Sequence, residues 1–219
     1  MRGNDLNIGV LVSGSGTNLQ AIIDSIEAGC LRARIVCVIS NKADAYALER
    51  AKQYNIPALF IDHREYNTRE AYDRVLVEKL SEYGAGLVVL AGYMRIITDT
   101  LLDAYPMRIM NIHPALLPAF PGLHAQRQAL QHGVKISGCT VHFVDAGTDT
   151  GPIIVQAAVP VLDYDTEETL SARIQKEEHR VYPLAIHLYA EGRLRVEGRR
   201  VIVTPHIAPP EVSFQNPPA

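Results

Sequence analysis

The chain has 219 residues, of which 47% are hydrophobic and 21% are charged, and its formal net charge is −3 at pH 7. This length can bury the core of one α/β domain, so we expect a single domain over residues 1–219, with a loosely ordered tail at 205–219. The near-neutral charge argues against a nucleic-acid partner, because such proteins usually carry a strong basic field. Any anionic ligand must therefore be bound by local groups.

The cysteines and the apolar runs indicate a reduced setting away from membranes. Cys30, Cys37 and Cys139 form no C-x-x-C pair, which favours a cytoplasmic location. Cys37 and Cys139 lie in apolar, strand-like runs, so we interpret them as packing residues rather than nucleophiles. The N-terminal apolar run has no cleavage-site pattern after it, and GAGLVVLAGYM is shorter than the ~20 residues of a membrane-spanning helix.

Strand-like and helix-like segments alternate through the first half of the chain. The strand-like runs are LNIGVLVSG, RIVCVISN, PALFID and GLVVLAG, and the helix-like segments include TNLQAIIDSIEAG and DAYALERAKQYN. This alternation predicts βαβ units and an open, Rossmann-like parallel sheet. A further helix is predicted over TREAYDRVLVEKLSEYG, with Asn67 as its N-cap and Glu70 three residues later.

The second half predicts a sheet that becomes mixed. DTLLDAY reads as a short helix ended by Pro106, RIMNIH as the next strand, and PALLPAFPGLHAQ as an irregular, proline-rich loop. The runs ISGCTVHFVD and GPIIVQAAVP predict two antiparallel strands, because the loop between them is too short for a crossover. Helical spacing from Glu167 to Tyr189 contains Pro183, which predicts a kink or a break, and RLRVEGRRVIV predicts a terminal hairpin.

The glycine-rich turn SGSGTN, Ser13 to Asn18, joins the first strand to the first helix. Free backbone N–H groups and the helix dipole at such a turn can bind an anion, with phosphate the natural candidate. The turn is neither a dinucleotide fingerprint nor a Walker loop, since Leu19 stands where a third glycine is needed and no G-K-[ST] follows. A tight turn without a ligand is the alternative.

Asn111 and His113 are predicted at the carboxyl end of a strand, where open α/β sheets bind ligands. Period-two alternation places them on one face. An imidazole and a carboxamide together can polarise a carbonyl and stabilise the oxyanion that forms when an amine attacks it. A nearby carboxylate would hold the protonated imidazole, and either Asp145 or Asp149 of the following loop could supply it.

The remaining candidate groups are weaker. His124 and His142 stand near the predicted cluster, whereas the other histidines read as ordinary structural residues: His63, His132, His179, His187 and His206. The chain has no G-x-S-x-G elbow and no HExxH or clustered His/Cys set, so neither covalent catalysis nor a metal is supported. Direct transfer to a bound nucleophile remains.

The chain resembles the folate-dependent phosphoribosylglycinamide formyltransferase family over nearly its whole length. The matching segments, in order, are LVSGSGTNLQAIID, SNKADAYALERA, REAYDR, VVLAGYMRI, NIHPALLPAFPGLHAQRQAL, GCTVHFVD, DTGPIIVQAAVPV and RIQKEEHRVYP. The resemblance implies the formyltransferase fold. It also implies transfer of a formyl group from 10-formyltetrahydrofolate to the amino group of glycinamide ribonucleotide in de novo purine biosynthesis, through a tetrahedral intermediate and without a covalent enzyme adduct.

The resemblance also implies roles for particular residues. It assigns Asn111, His113 and Asp149 to catalysis, and so selects Asp149 over Asp145. It places the ribonucleotide phosphate on Gly16, Thr17 and Asn18 and the ribose hydroxyls on Glu178, which on sequence alone reads as part of a solvated helix face. Folate would contact Asn111 and a further set of residues: Arg69, Met94, Arg95, Ile96, Ile97, Asp145, Ala146, Gly147, Thr148 and Asp149.

Some of these positions have plainer alternatives or depart from the family pattern. Arg69 also reads as a first-turn helix residue, and YMRII as a strand that leaves the core. Thr17 stands where the family often has serine, which keeps the hydroxyl. Ala115 also replaces a common serine and loses the hydroxyl, but it is not among the implied catalytic positions, so we expect activity to survive.

Two related activities and one other class remain as alternatives. Methionyl-tRNA formyltransferase and formyltetrahydrofolate hydrolase share the HP-x-LLP chemistry, but each normally carries an extra domain, for which we expect no room in 219 residues. A binding module without turnover would be expected to lack one of the three catalytic groups, and all three are present. We expect a monomer or a homodimer that binds small-molecule substrates.

Overall fold

A computed structural model describes residues 5–205, so the predicted tail from 206 onward lies outside the described residues. The strands are β1 (Leu6–Val12), β2 (Ala33–Ser40), β3 (Ala58–Phe60), β4 (Leu87–Leu90), β5 (Ile109–His113), β6 (Ile136–Phe143), β7 (Ile153–Pro160), β8 (Leu194–Glu197) and β9 (Arg200–Val203). The α-helices are α1 (Thr17–Glu27), α2 (Tyr46–Gln53), α3 (Arg69–Glu82), α4 (Asp99–Ala104), α5 (Ala125–Gln131) and α6 (Glu167–Ala190).

Within the described residues, these strands form one sheet with the order β3-β2-β1-β4-β5-β6-β7-β9-β8. The pairs from β3 to β5 are parallel, whereas β6 is antiparallel to both β5 and β7. This confirms the predicted Rossmann-like sheet with an antiparallel part in the C-terminal half, and β8 and β9 form the predicted hairpin. The chain order reverses between β1 and β4, and open sheets bind ligands in the crevice at such a point.

Helices cover both faces of the sheet. Successive residues of β1 point to opposite faces, so Val10 and Val12 pack in the core beneath α1, α2 and α6, while Leu11 packs in the core beneath α3 and α4. This two-sided burial explains why the parallel strands read as continuous apolar runs. Among residues 5–205, no helix is both long and apolar enough to cross a membrane.

Four local expectations need correction. The N-cap of α3 is Thr68 rather than Asn67, because the Thr68 hydroxyl accepts a hydrogen bond from the Ala71 amide. Helix α6 runs unbroken through Pro183, so of the two expectations there, a kink or a break, the break is wrong. The YMRII segment is not a strand, since β4 ends at Leu90 and the chain turns at Gly92, whose φ is +71°. Helix α5 begins at Ala125, within the end of the predicted proline-rich loop, and no helix was predicted there.

Candidate active site

The carboxylate of Asp149 lies at the centre of a polar cluster at the carboxyl end of β5. Its Oδ2 is 3.3 Å from Nδ1 of His113, and its Oδ1 is 3.4 Å from the Asn111 amide nitrogen. Oδ1 also lies 3.6 Å from Nε2 of His142, and Oδ2 accepts a 2.8 Å hydrogen bond from the backbone N–H of Gly122. The structure thus brings Asn111 and His113 to the same carboxylate.

His142 belongs to this cluster, although sequence reasoning gave it no definite role. Asn111 and His142 are directly paired across the antiparallel strands β5 and β6. Nδ1 of His142 is 2.8 Å from the backbone oxygen of Phe143, which can only accept, so Nδ1 carries a proton. Nε2 then lies 3.3 Å from the Asn111 amide nitrogen and faces Asp149. His142 therefore contacts both Asn111 and Asp149.

Asp149 is held in its ionised form. Burial raises the pKa of its carboxyl, but the adjacent His142 ring, the hydrogen bond from the Gly122 amide and the charges of the two histidines outweigh burial and lower the pKa below its ordinary value. The residue has a φ of +54°, a conformation that Asp and Asn adopt more readily than most residues. The loop therefore presents a carboxylate, rather than a carboxylic acid, to His113.

The residue pattern alone did not decide whether Asp145 or Asp149 faces His113. The structure distinguishes the two. Oδ1 of Asp145 accepts hydrogen bonds from the Gly147 amide, at 3.1 Å, and from the Thr150 hydroxyl, at 2.6 Å. These bonds close the loop that contains Ala146 and Thr148, both of which are exposed. Asp145 thus shapes the loop, while Asp149 faces the cluster.

The proline-rich loop between β5 and α5 contacts both His113 and Asp149. Nε2 of His113 is 2.8 Å from the backbone oxygen of Phe120, and Gly122 donates to Asp149 as described above. The loop is anchored by the buried Thr140 hydroxyl, which accepts from the Leu117 amide at 3.0 Å and donates to the Ala115 oxygen at 2.7 Å. A hydroxyl on a neighbouring strand therefore positions the loop against the cluster.

The glycine-rich turn occupies the carboxyl end of β1. Gly16 is the N-cap of α1 with a φ of +73°, and a Cβ there would lie 2.6 Å from Cβ of Ala47. Only glycine suits both the backbone conformation and the close approach of α2. The Thr17 hydroxyl accepts a 3.1 Å hydrogen bond from the Gln175 amide, so α6 borders the turn.

Glu178 is brought to this turn as the resemblance implied. It lies on α6, is 8% exposed, and accepts a 2.9 Å hydrogen bond from the Asn18 amide. Burial raises the pKa of the Glu178 carboxyl, and the hydrogen bond from Asn18 opposes this effect. Its expected place on a solvated helix face, the alternative from sequence alone, is wrong because α6 packs this side chain against α1.

The remaining implied folate residues follow β4 and begin α3. Met94 and Ile96 are 64% and 63% exposed, so two apolar side chains face solvent after β4, the strand next to β5. The Arg95 guanidinium lies 5.1 Å from the centre of the Tyr72 ring. Arg69 is the exposed first residue of α3. His124 is the exposed N-cap of α5, and its side chain makes no capping hydrogen bond.

Other features of the described residues do not suggest a second catalytic centre. Burial raises the pKa of the Cys37 and Cys139 thiols to about 12, so neither is a ready nucleophile. Within residues 5–205, no group of three or more His, Cys, Asp or Glu side chains is arranged to hold a metal. A cavity of about 670 Å³ lies at the amino ends of β1 and β2, at the opposite edge of the sheet from Asp149, beside Asn7 and Arg34.

Comparison with known proteins decides the family. The model of the formyl transferase family matches residues 6–186. The chain belongs to the formyl transferase family. Because the match contains β1 through most of α6, both the glycine-rich turn and the Asp149 cluster lie within this formyl transferase region.

Relatives within the family carry more specific names. The chain is 45% identical over 206 residues to phosphoribosylglycinamide formyltransferase of Escherichia coli (strain K12), covering 94% of this chain and 97% of that protein. It is 51% identical over 190 residues to the trifunctional purine biosynthetic protein adenosine-3 of Drosophila pseudoobscura pseudoobscura, covering 86% of this chain and 14% of that protein. The crystal structure of glycinamide ribonucleotide transformylase 1 from Symbiobacterium toebii has a TM-score of 0.91 and 60% identity, covering 92% of this chain and 95% of that one.

Proposed function

We propose that this chain transfers the formyl group of 10-formyltetrahydrofolate to the amino group of glycinamide ribonucleotide in de novo purine biosynthesis. The observation that supports this most is the convergence of Asn111, His113 and His142 on the ionised carboxylate of Asp149. Full-length similarity to phosphoribosylglycinamide formyltransferase adds to it. The same arrangement, without a nucleophilic Ser or Cys in it, favours direct attack over a covalent enzyme adduct.

The proposed reaction is a direct transfer between the two bound substrates. The amine attacks the formyl carbon, and the carbonyl π electrons move to oxygen to form a tetrahedral oxyanion. The Asn111 amide N–H and the protonated His113 stabilise this oxyanion by hydrogen bonding. The C–N10 bond then breaks, N10 of the folate takes up a proton, and the former amine loses one. Asp149 holds the charge on His113 and assists this proton transfer.

The contacts of His113 favour Nε2 as the nitrogen that would meet the substrate. Nδ1 faces Asp149, whereas Nε2 faces the backbone oxygen of Phe120, which can only accept. Nε2 is therefore the protonated nitrogen that points away from the carboxylate. We infer that this N–H exchanges the Phe120 oxygen for the formyl oxygen when folate binds.

The ribonucleotide is proposed to bind between α1 and α6. Its phosphate would accept hydrogen bonds from the backbone at Gly16, Thr17 and Asn18, where the positive end of the α1 dipole adds stabilisation. Glu178 would accept hydrogen bonds from ribose hydroxyls, since its second oxygen is not needed for the bond to Asn18. The turn follows the carboxyl end of β1, and His113 stands at the carboxyl end of β5, so an amine of the bound ribonucleotide would extend along this edge of the sheet to His113.

The folate is proposed to bind along Met94 to Ile97, beneath the loop from Asp145 to Asp149. The exposed side chains of Met94 and Ile96 offer apolar surface to the ring system. Because the Met94 amide already donates to Ser13, the N–H groups that remain for the pteridine belong to the next three residues. Arg69 would contact a carboxylate of the glutamate tail, an exposed ion pair of modest strength.

An acceptor comparison tests the proposed function. Formyl transfer from 10-formyltetrahydrofolate is measured with glycinamide ribonucleotide, charged initiator tRNA and water as acceptors. We expect rapid transfer to the ribonucleotide and only background rates with the other two. Faster transfer to tRNA or to water, or none to the ribonucleotide, would overturn the proposal.

A further inference from the structure

We propose that Ser13 is a positioning residue that sets the folate segment and the phosphate turn at one fixed spacing. This inference rests on the proposed function, because it takes Met94 to Ile97 as the folate segment and Gly16 to Asn18 as the phosphate turn. Ser13 is assigned to neither subsite by the resemblance. It is 4% exposed and lies directly after β1, as the first residue of the glycine-rich turn whose last three residues form the phosphate turn.

The Ser13 side chain joins the chain segments that follow three neighbouring strands. Its hydroxyl donates a 2.6 Å hydrogen bond to Oδ1 of Asn41, which follows β2. The same oxygen accepts a 2.9 Å hydrogen bond from the backbone N–H of Met94, which follows β4. One buried hydroxyl thus spans the crevice between β1 and β4, the point at which the strand order reverses.

The backbone of Ser13 reinforces this link. Its N–H donates a 3.1 Å hydrogen bond to the oxygen of Gly92, so Ser13 is bonded on both sides of Tyr93, to Gly92 and to Met94, where the folate segment begins. On the other side of the turn, the oxygen of Gly14 accepts a 3.1 Å hydrogen bond from the amide of Ala47 in α2. The turn is therefore held between α2 and the folate segment, with Ser13 as its contact to the latter.

Loss of the hydroxyl would affect both substrates. In Ser13→Ala, the buried Asn41 carboxamide and the part-buried Met94 amide lose their shared partner, and we expect both to shift toward other partners. Movement of Met94 displaces the folate segment, and movement of Ser13 displaces the start of the phosphate turn. A residue that served one subsite alone would weaken one substrate only.

The chain provides a matched control in Ser137. This serine is 2% exposed on β6, and its hydroxyl has no hydrogen-bond partner among the described residues. Ser137→Ala removes the same atom from an equally buried site without breaking such a bond. A second variant, Asn41→Ala, removes the acceptor of the Ser13 hydroxyl but leaves the Met94 amide its partner.

The test measures dissociation constants by calorimetry and turnover in the same proteins. With tetrahydrofolate and glycinamide ribonucleotide as probes, we expect both constants to rise about five- to twentyfold in Ser13→Ala, because the two hydrogen bonds that set the spacing of the subsites are lost. We expect kcat to stay within about threefold, because His113 and Asp149 are unaltered. Asn41→Ala should weaken tetrahydrofolate less than Ser13→Ala does, and Ser137→Ala should weaken neither probe.

Each contrary result has a separate meaning. Unchanged constants in Ser13→Ala, or an increase for one probe alone, would overturn the role of Ser13. An equal loss in Ser137→Ala would also overturn it, because any buried serine would then have the same effect. If the wild-type protein binds both probes but transfers no formyl group, the proposed function fails, and the binding constants still test Ser13.

Discussion

The Asn18 amide donates a 2.9 Å hydrogen bond to the Glu178 carboxylate and so links the start of α1 to the middle of α6. The two residues are 160 positions apart in the chain. This bond places a buried acid beside the glycine-rich turn, where we propose that the ribose binds. Burial of this acid costs stability, since an ionised carboxylate is poorly solvated there, and the bond from Asn18 offsets part of that cost.

Glu178→Gln should therefore stabilise the protein while it weakens ribonucleotide binding. Burial raises the pKa of Glu178 in the folded state, so the wild type loses stability as pH rises through that pKa. We expect the variant to be the more stable protein at pH 8 and equally stable below about pH 4, where both side chains are neutral. Urea unfolding at several pH values checks this. The KM for the ribonucleotide should rise about tenfold, because the contact to the ribose is weakened. A difference in the free energy of unfolding that does not change with pH would contradict the account.

Gly16→Ala should destabilise the fold by about 2–4 kcal/mol and abolish ribonucleotide binding. The new Cβ would meet Cβ of Ala47 at 2.6 Å and its Cα at 2.9 Å, in a backbone with φ of +73°. Gly133→Ala is the control, because Gly133 has a φ of +63° and open space around its Cβ position. That change should cost only about 1 kcal/mol. Thermal unfolding of the two variants separates the steric effect from the backbone effect, and equal losses would exclude a clash with α2.

Asp149→Asn should lower kcat by about 10²–10⁴-fold, because the amide cannot hold a protonated His113. Asparagine suits the φ of +54° nearly as well as aspartate, so the backbone should be preserved. The pKa of Asp149 is lowered by folding, so its carboxylate stabilises the native state above its unfolded pKa of about 3.9 and loses this effect as pH falls through the folded value. The excess stability of the wild type, measured by urea unfolding, should thus shrink below about pH 4. An unchanged kcat would remove Asp149 from the mechanism.

Thr140→Val should destabilise the protein by about 2–3 kcal/mol, since it leaves the Leu117 amide and the Ala115 oxygen without their buried partner. It should also lower kcat, because the loop that it anchors contacts both His113 and Asp149. Thr140→Ser retains the hydroxyl and should restore most of both properties. Equal kcat values for the valine and serine variants would show that the hydroxyl does not position this loop.

The sequence was sufficient for the main features of the fold and for the shared face of Asn111 and His113 in the candidate site. Buried parallel strands leave continuous apolar runs, and these placed β1, β2, β4 and β5 correctly. Period-two alternation put Asn111 and His113 on one face, and the structure brings both to Asp149. The assignments of Glu178 and Asp149, in contrast, came from the family resemblance.

Other features depend on contacts that no local pattern records. His142 could be placed beside Asn111 only once the register of β5 against β6 was known. Asp145 and Asp149 look equivalent in sequence, and they differ because Asp145 closes its own loop with Gly147 and Thr150. Helix α5 was missed because it follows a proline-rich loop and its N-cap, His124, makes no capping side-chain hydrogen bond.

The central claim is that the protonated His113, held by Asp149, acts on the formyl group in the chemical step. Single-turnover formyl transfer in His113→Asn, with both substrates saturating, tests this most directly, and His187→Asn serves as a control on the distant part of α6. We predict that His113→Asn transfers the formyl group about 10²–10⁴-fold more slowly than the wild type, with ribonucleotide affinity changed less than about threefold. The control should match the wild type. A transfer rate in His113→Asn within about threefold of the wild-type rate would contradict the account.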